Sequence, residues 1–243
     1  TTCIVAAVLL WRILRARQHD PSPLLPWRRI ADPARLRRTL VANGDIMLRA
    51  LRLLAGFGWF ARQGAALGEA TLAANHLLLQ LVSFSAIFLD GFAYVAEAQV
   101  GAAVGARDRG RLRRAVRLTS ELAAVTAALL AAGLWLGGGP LVGALTSLAD
   151  VAAAARAHLP WVALYVLLSV AAFQLDGVFI GATGTGPMRN AAIVSLAVFV
   201  LVAWPAVAMW GNHGLWAAFV VFVVARALAL LPCYRRLERA LGG

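Results

Sequence analysis

Long apolar runs are the feature that most limits what this chain can fold into. After a short apolar stretch at 1–14, six runs follow, at residues 46–61, 70–104, 118–136, 159–182, 191–210 and 215–231. A helix needs about 20 apolar residues to cross a bilayer. Only 14% of the residues are charged, whereas soluble domains carry about 25%. The sequence therefore predicts an all-α polytopic membrane protein and excludes a soluble domain.

The positive charge of the chain lies in clusters at alternate ends of these runs. The 23 basic residues are all arginines, and the formal net charge is +12. Seven of them lie in 15–44 and six in 105–117, whereas 211–214 has none. Cytoplasmic loops carry the excess of basic residues in membrane proteins, so both clusters and the tail 233–243 are predicted to be cytoplasmic. Charge placed in this way favours orientation in the bilayer over nucleic-acid binding, and no nucleic-acid partner is expected.

The domain organisation follows from the same runs. Residues 1–14 are too few to cross a bilayer, so the sequence predicts the end of a transmembrane helix whose start is missing, and hence a fragment. An arginine- and proline-rich linker is predicted at 15–44, ending in an amphipathic helix near 33–43. A six-helix transmembrane lobe then occupies 45–232, and a short tail occupies 233–243.

Turn residues predict two breaks on the outer side. The Gly-Gly-Gly-Pro string at 137–140 is predicted to end one helix. The Ser-Leu-Ala-Asp string at 147–150 is typical of a capping box, and it predicts a short separate helix at 148–158.

Ionisable residues inside apolar runs are the candidate functional groups, because each costs about 2.5–3.5 kcal/mol on insertion scales. Asp176 has apolar neighbours on both sides, with Gln174 two residues earlier. Arg226 lies about 16 Å from the outer end of its run and needs an internal acidic partner. Two interpretations stay open: a fixed Asp176–Arg226 ion pair, and a carboxylate that takes up a proton or cation during transport. Gly177 and Gly181 predict a close helix approach or a bend beside it.

The long run at 70–104 carries the remaining candidates. Asp90 and Glu97 are seven residues apart and share one helical face. For Glu97, a solvated inner end facing the arginine cluster is an equal alternative to a functional role. The outer half of the run adds three polar candidates, Asn75, His76 and Gln80. A histidine in such a helix is more often a packing or hydrogen-bonding residue than a substrate contact.

Eight short strings, taken together and in order, resemble the multidrug and toxic compound extrusion (MATE) transporters. One of them reads Leu-Asp-Gly-Val-Phe-Ile-Gly-Ala-Thr at 175–183, and it contains Asp176. The others lie at 43–49, 73–75, 89–98, 105–108, 145–147, 188–190 and 211–216. The resemblance covers 37–236 and points to the branch of the DNA-damage-inducible protein F.

The resemblance implies the C-terminal six-helix lobe of a twelve-helix transporter, preceded by the end of helix six. It implies an antiporter of the bacterial inner membrane that exports small organic compounds by alternating access, driven by protons or sodium and without another cofactor. The missing N-terminal lobe and the lipid bilayer are the partners expected. In some relatives the acid matching Asp176 helps form a cation site, whereas this branch places its proton-coupling acid in the first lobe. Gly44 and His76 depart from the pattern of the branch.

Two other functions stay open. A flippase of lipid-linked precursors belongs to the same superfamily, and a strongly cationic lobe interior would favour it, whereas the interior charges here are mixed. A non-transporting scaffold or an intramembrane enzyme is the second alternative. Because no HExxH, GxSxG, Walker A or CxxC string occurs, an enzyme is not expected.

Overall fold

The computed structural model describes residues 32–241, and the regular structure of that part is entirely helical. Its six helices are α1 Pro33–Ala66, α2 Glu69–Gly105, α3 Arg109–Leu145, α4 Ala149–Gly181, α5 Thr185–Trp210 and α6 Asn212–Ala240. The chain divides into two compact units, 1–41 and 42–243. The predictions for 1–14 and for most of the 15–44 linker lie outside the described residues.

The helices confirm the all-α membrane fold predicted from the apolar runs. Among residues 32–241, α2 to α6 are each long and apolar enough to cross a membrane. Helix α1 has 34 residues and contains the predicted run 46–61. Arginines interrupt that run, so α1 is less apolar than α2 to α6 and does not meet the same criterion for a membrane span. The chain is therefore a multi-pass membrane protein.

Helix α1 differs from the prediction at its start. The sequence predicted an amphipathic helix near 33–43 that was separate from the span beginning at 46. The structure has one uninterrupted helix from Pro33 to Ala66. Gly44 costs an exposed helix only about 1 kcal/mol, and each residue added to an existing helix gains a backbone hydrogen bond. A single glycine is therefore too weak a signal to end this helix.

The helix end predicted at 137–140 is also wrong, and the helix predicted at 148–158 begins close to the expected place, at Ala149, but does not end at 158. Helix α3 continues through the 137–140 string and ends at Leu145, and α4 runs without interruption from Ala149 through Pro160. The capping box does not form, because Leu148 is the N-cap residue and no side chain caps the helix. Arg156 of α4 donates from Nε to the backbone oxygen of Gly139, 3.3 Å away, and so links the last part of α3 to the first part of α4. Packing between neighbouring helices outweighs the local breakers here.

Helices α2 and α4 approach each other closely at two glycines of α4. A Cβ atom placed on Gly177 would lie 2.3 Å from the backbone oxygen of Ala93, and one on Gly181 would lie 2.3 Å from that of Glu97. Backbone atoms cannot rotate away as a side chain can, so only glycine fits at either position. The predicted small-residue contact is confirmed, and its partner is α2.

A buried aromatic cluster joins α1, α4, α5 and α6. Phe60 of α1 contacts Trp216 of α6, with ring centroids 5.1 Å apart, and Tyr165 of α4 stacks on Phe219 at 4.6 Å. Phe199 of α5 packs edge-on against Phe219 at 6.1 Å. Trp216, Phe60 and Phe199 are fully buried. These rings supply large contact areas in a lobe where the bilayer provides little hydrophobic driving force between helices.

The α2–α4 contact gives the first testable prediction. We expect Gly177→Ala to lower the thermal stability of the purified protein, because overpacking a tight contact costs about 1–3 kcal/mol. Gly91→Ala on α2 is the matched control, since nothing lies within 4 Å of a Cβ atom there. The measurement is the midpoint of thermal unfolding, followed by size-exclusion chromatography in detergent. Equal midpoints for the two variants would contradict the close approach.

Candidate functional site

A partly open cavity of about 320 Å³ lies between α1, α2, α4 and α6. Its wall combines charged and aromatic side chains. The ionisable and polar members are Asp90, Tyr94, Glu97, Tyr165, Asp176 and Arg226, and the phenylalanines are Phe57, Phe173 and Phe222. Four of the eight residues singled out from the sequence thus meet in one place.

An ion pair crosses the cavity between α4 and α6. Arg226 donates from Nη2 to Oδ2 of Asp176. The two side chains are only 11% and 13% exposed, so water reaches them little. The sequence required an internal acidic partner for Arg226, and the structure identifies it as Asp176. Removing either partner of such a pair leaves the other charge buried and unpaired, which strongly destabilises the folded protein.

Two further carboxylates line the same cavity from α2. Asp90 and Glu97 both contribute to its wall, with Tyr94 between them on the same helical face. Both side chains are partly buried. The close approach of α2 to α4 at Gly177 explains this arrangement, because Ala93 lies between the two acids in the sequence and touches Gly177. The charged groups of the lining therefore comprise three acids and one arginine.

Asn75 has a different position from the one expected of a cavity residue. It is buried near the start of α2, where its Nδ2 donates to Oδ1 of Asn212 at 2.7 Å. In return, its Oδ1 accepts from Nδ2 of Asn212 at 3.0 Å and from Nε1 of Trp216 at 2.9 Å. These bonds satisfy the side chains of two buried residues, Asn75 and Trp216, and of the partly buried Asn212, which indicates a structural link between α2 and α6.

His76 and Gln80 lie on an exposed face of α2 and do not line the cavity. Their Nε2 atoms are 3.5 Å apart. Counted at 100° per residue, both positions fall on the same side of the helix as Asp90 and Tyr94, so a polar stripe runs along α2 toward the cavity.

Gln174 is buried beside the cavity but is not part of its wall. Within residues 32–241, neither its amide oxygen nor its amide nitrogen has a hydrogen-bond partner. A buried amide without partners costs free energy, about 1–3 kcal/mol in mutational data, so the structure gives no stabilising role to this side chain.

Comparison with known proteins identifies the fold and the family. The sequence model named MatE matches residues 64–205. The chain is also 36% identical, over 236 residues and 97% of its length, to the DNA damage-inducible protein F of Escherichia coli (strain K12). The chain belongs to the MatE family. It spans about half of that relative, since the match covers 50% of the longer protein.

Solved structures of MatE-type transporters share this fold at low sequence identity. The Vibrio cholerae MATE transporter VcmN in the bent form matches with a TM-score of 0.75 and 19% identity, over 82% of this chain and 45% of its own. A MATE structure in the straight conformation gives a TM-score of 0.84 and 16% identity, over 98% of this chain and 54% of its own. Both likenesses establish the arrangement of the helices alone.

The sequence reasoning missed the aromatic half of this MatE cavity. Tyr94 lies four residues after Asp90 and three before Glu97, so helical spacing alone already placed it on their face. Tyr165 lies eleven residues before Asp176, which is three helical turns and again the same face. Phe57 and Phe222 gave no such signal, because apolar residues occur on every side of these helices.

The buried amide network gives the second prediction. Asn75→Ala should lower the thermal midpoint of this MatE protein, because it leaves the Nε1–H of Trp216 and the amide of Asn212 without their partner, at about 1–3 kcal/mol per buried group. His76→Ala is the control on the neighbouring, exposed position. The midpoint is measured for both variants in the same detergent. A loss as large in His76→Ala as in Asn75→Ala would refute the structural role of Asn75.

Proposed function

We propose that this chain forms one lobe of a cation-coupled exporter of small organic compounds. The observation that carries the proposal is the Asp176–Arg226 ion pair inside a cavity that two more carboxylates line. Charged groups at this depth are expensive, and in membrane proteins they mark ion and substrate pathways. Membership of the MatE family supports the assignment to transport.

In the mechanism we propose, the ion pair responds to the coupling ion. A proton or sodium ion that binds Asp176 cancels its negative charge and weakens its attraction to Arg226. A buried arginine without a counter-charge is unfavourable, so Arg226 then turns toward another acid. Asp90 and Glu97 line the same cavity and offer that charge. Loading of the ion thereby changes how α2, α4 and α6 are held together, and this change is the conformational signal for alternating access.

The cavity wall suits an organic cation as the exported compound. Its acids supply negative charge, and Tyr94, Phe57 and Phe173 supply aromatic faces. A cation over an aromatic ring is attracted by about 0.5–2 kcal/mol, and more strongly where water is excluded. No cofactor other than the coupling ion enters this mechanism.

A second lobe completes the transporter in our proposal. The chain covers about half of the DNA damage-inducible protein F of Escherichia coli. Transporters built from two related lobes bind their substrates between the lobes. We therefore expect the partner of this lobe to be an N-terminal lobe of similar size, in a twelve-helix protein of the bacterial inner membrane.

The lipid-linked precursor flippase is a weaker candidate on the geometry. Its substrate is anionic, and a cationic interior would favour it. Three of the four charged side chains in the cavity wall described above are acids. The scaffold alternative is decided by whether ion-coupled transport occurs at all.

The ion pair gives the third prediction. In the complete gene product, Asp176→Asn keeps the size of the side chain but removes its titration. We expect ion-coupled efflux to fall about 100-fold or more, the lower end of what a positioned proton-transfer group contributes, while the protein stays folded. Glu121→Gln is the control, because it makes the same charge change at an exposed acid that pairs with Arg117 outside the cavity. Efflux is measured in proteoliposomes under proton and sodium gradients applied separately.

The same assay separates the coupling role from a purely structural one. If the ion pair only joins two helices, Asp176→Asn and Arg226→Gln should lose folded protein equally, and the double variant should regain it because no charge is left unpaired. Undiminished coupled efflux in Asp176→Asn would reject the coupling role outright.

The fourth prediction concerns orientation. Glu238 of α6 pairs with Arg109 of α3 at 3.4 Å and with Arg113, so the start of α3 and the end of α6 lie at the same end of the lobe. We propose that this end is cytoplasmic, as the arginine excess predicts. A cysteine introduced at Arg107 should react with a membrane-impermeant maleimide only after the cells are opened. Labelling of this cysteine in intact cells would show that the loop faces outward and would contradict the proposed orientation.

A further inference from the structure

A groove of about 640 Å³ runs between α2 and α3, outside the cavity described above. Arg111 and Arg114 line one end of it, and Val95, Leu118 and Leu122 line the other. The lining residues of α3 recur at spacings of three and four, so the groove follows one face of that helix. We propose that this groove binds one anionic phospholipid of the surrounding leaflet, with the phosphate at the arginines and an acyl chain along the apolar end.

The two arginines of the groove are available to bind a ligand. Three others of the same cluster are engaged, since Arg109 and Arg113 pair with Glu238 and Arg117 pairs with Glu121 at 2.7 Å, and Arg107 does not line the groove. In residues 32–241, neither Arg111 nor Arg114 takes part in an ion pair, and both side chains are exposed.

Asp108 also lines the groove, but its carboxylate serves the end of the helix. Its Oδ1 accepts the backbone N–H of Arg111 at 2.8 Å and caps α3. This charge is therefore directed at the helix end, and the two guanidinium groups remain to meet an anion. Guanidinium groups bind phosphate oxygens in a planar fork, which suits a phosphodiester.

The apolar end of the groove is about as long as the part of an acyl chain that lies in one leaflet. Val95 is 51% exposed, Leu118 52% and Leu122 58%. Leu122 lies eleven residues beyond Arg111, about 16 Å along the helix. Half of the hydrocarbon core of a bilayer is about 15 Å thick. With the arginines at the headgroup level, the leucines thus line the path of one chain to the middle of the bilayer.

These features favour a lipid over a soluble anion. Free phosphate would use the arginines alone and gain nothing from the apolar wall. Basic pockets between transmembrane helices bind anionic headgroups, and each arginine near the surface adds about 1 kcal/mol to that attraction.

The test is retention of lipid by the delipidated complete gene product, measured by native mass spectrometry. Phosphatidylglycerol and phosphatidylcholine with identical chains are the lipid probes, and inorganic phosphate is the soluble probe. The variants are Arg111→Gln/Arg114→Gln, which removes the charge, and Ala115→Trp, which fills the groove at a lining residue. Arg117→Gln is the control, with one arginine lost from the same helix outside the groove.

We expect the wild type and Arg117→Gln to prefer phosphatidylglycerol. The double variant should lose this preference by about 30-fold, the effect of two surface arginines. Ala115→Trp should lose both lipids at this site. Arg114→Gln alone provides the charge test if the double variant does not fold.

Two results would overturn the proposal. A preference for phosphatidylglycerol that survives loss of both arginines would place the lipid elsewhere. Binding of inorganic phosphate with the same arginine dependence, unaffected by Ala115→Trp, would assign the groove to a soluble anion. Both readouts are independent of transport, so they stand whether or not the proposed export activity is found.

Discussion

The close approach of α2 to α4 is the contact on which the internal arrangement of this lobe depends. Gly177 and Gly181 allow backbone to touch backbone at Ala93 and Glu97. Between membrane helices there is little hydrophobic driving force, so close packing and polar contacts must hold them together. The approach also shapes the cavity, because it brings the acids of α2 to the helix that carries Asp176.

The ion pair across the cavity is the polar counterpart of that contact. A charge at this depth needs a partner, and Arg226 has Asp176. Asp90 and Glu97 line the same cavity, so acids outnumber the arginine there, which distinguishes the ion pair from the amide network at Asn75. In that network the amide and indole donors are matched by amide acceptors. The lobe thus combines a satisfied polar link at Asn75 with a charged one in its cavity.

Helix positions were predictable from the sequence, whereas helix ends were less so. Each of the six apolar runs coincides with one observed helix, with only residue 182 lying just past the end of α4, since every backbone polar group in the bilayer must be bonded within its own segment. The ends failed where local patterns were given too much weight, since the structure has no break near 43–46, at 137–140 or at 158. The sequence alone identified four residues of the cavity, because a charged side chain inside an apolar run has a high free-energy cost of insertion. They are Asp90, Glu97, Asp176 and Arg226. Asn75, His76 and Gln80 were found by the same polarity, but the structure places them elsewhere.

By itself, the sequence determined that the chain enters a membrane as helices, which residues are too polar to face lipid, and which family it resembles. These properties follow from local composition and spacing, and each can be read along one helix. The tertiary structure alone decided which polar residues meet, which rings complete their cavity, and which arginines are left without an acid. Those outcomes depend on how each helix is rotated and how closely it approaches its neighbours. Distances between helices are set by packing among residues far apart in the chain, so they cannot be predicted from the sequence of any one helix.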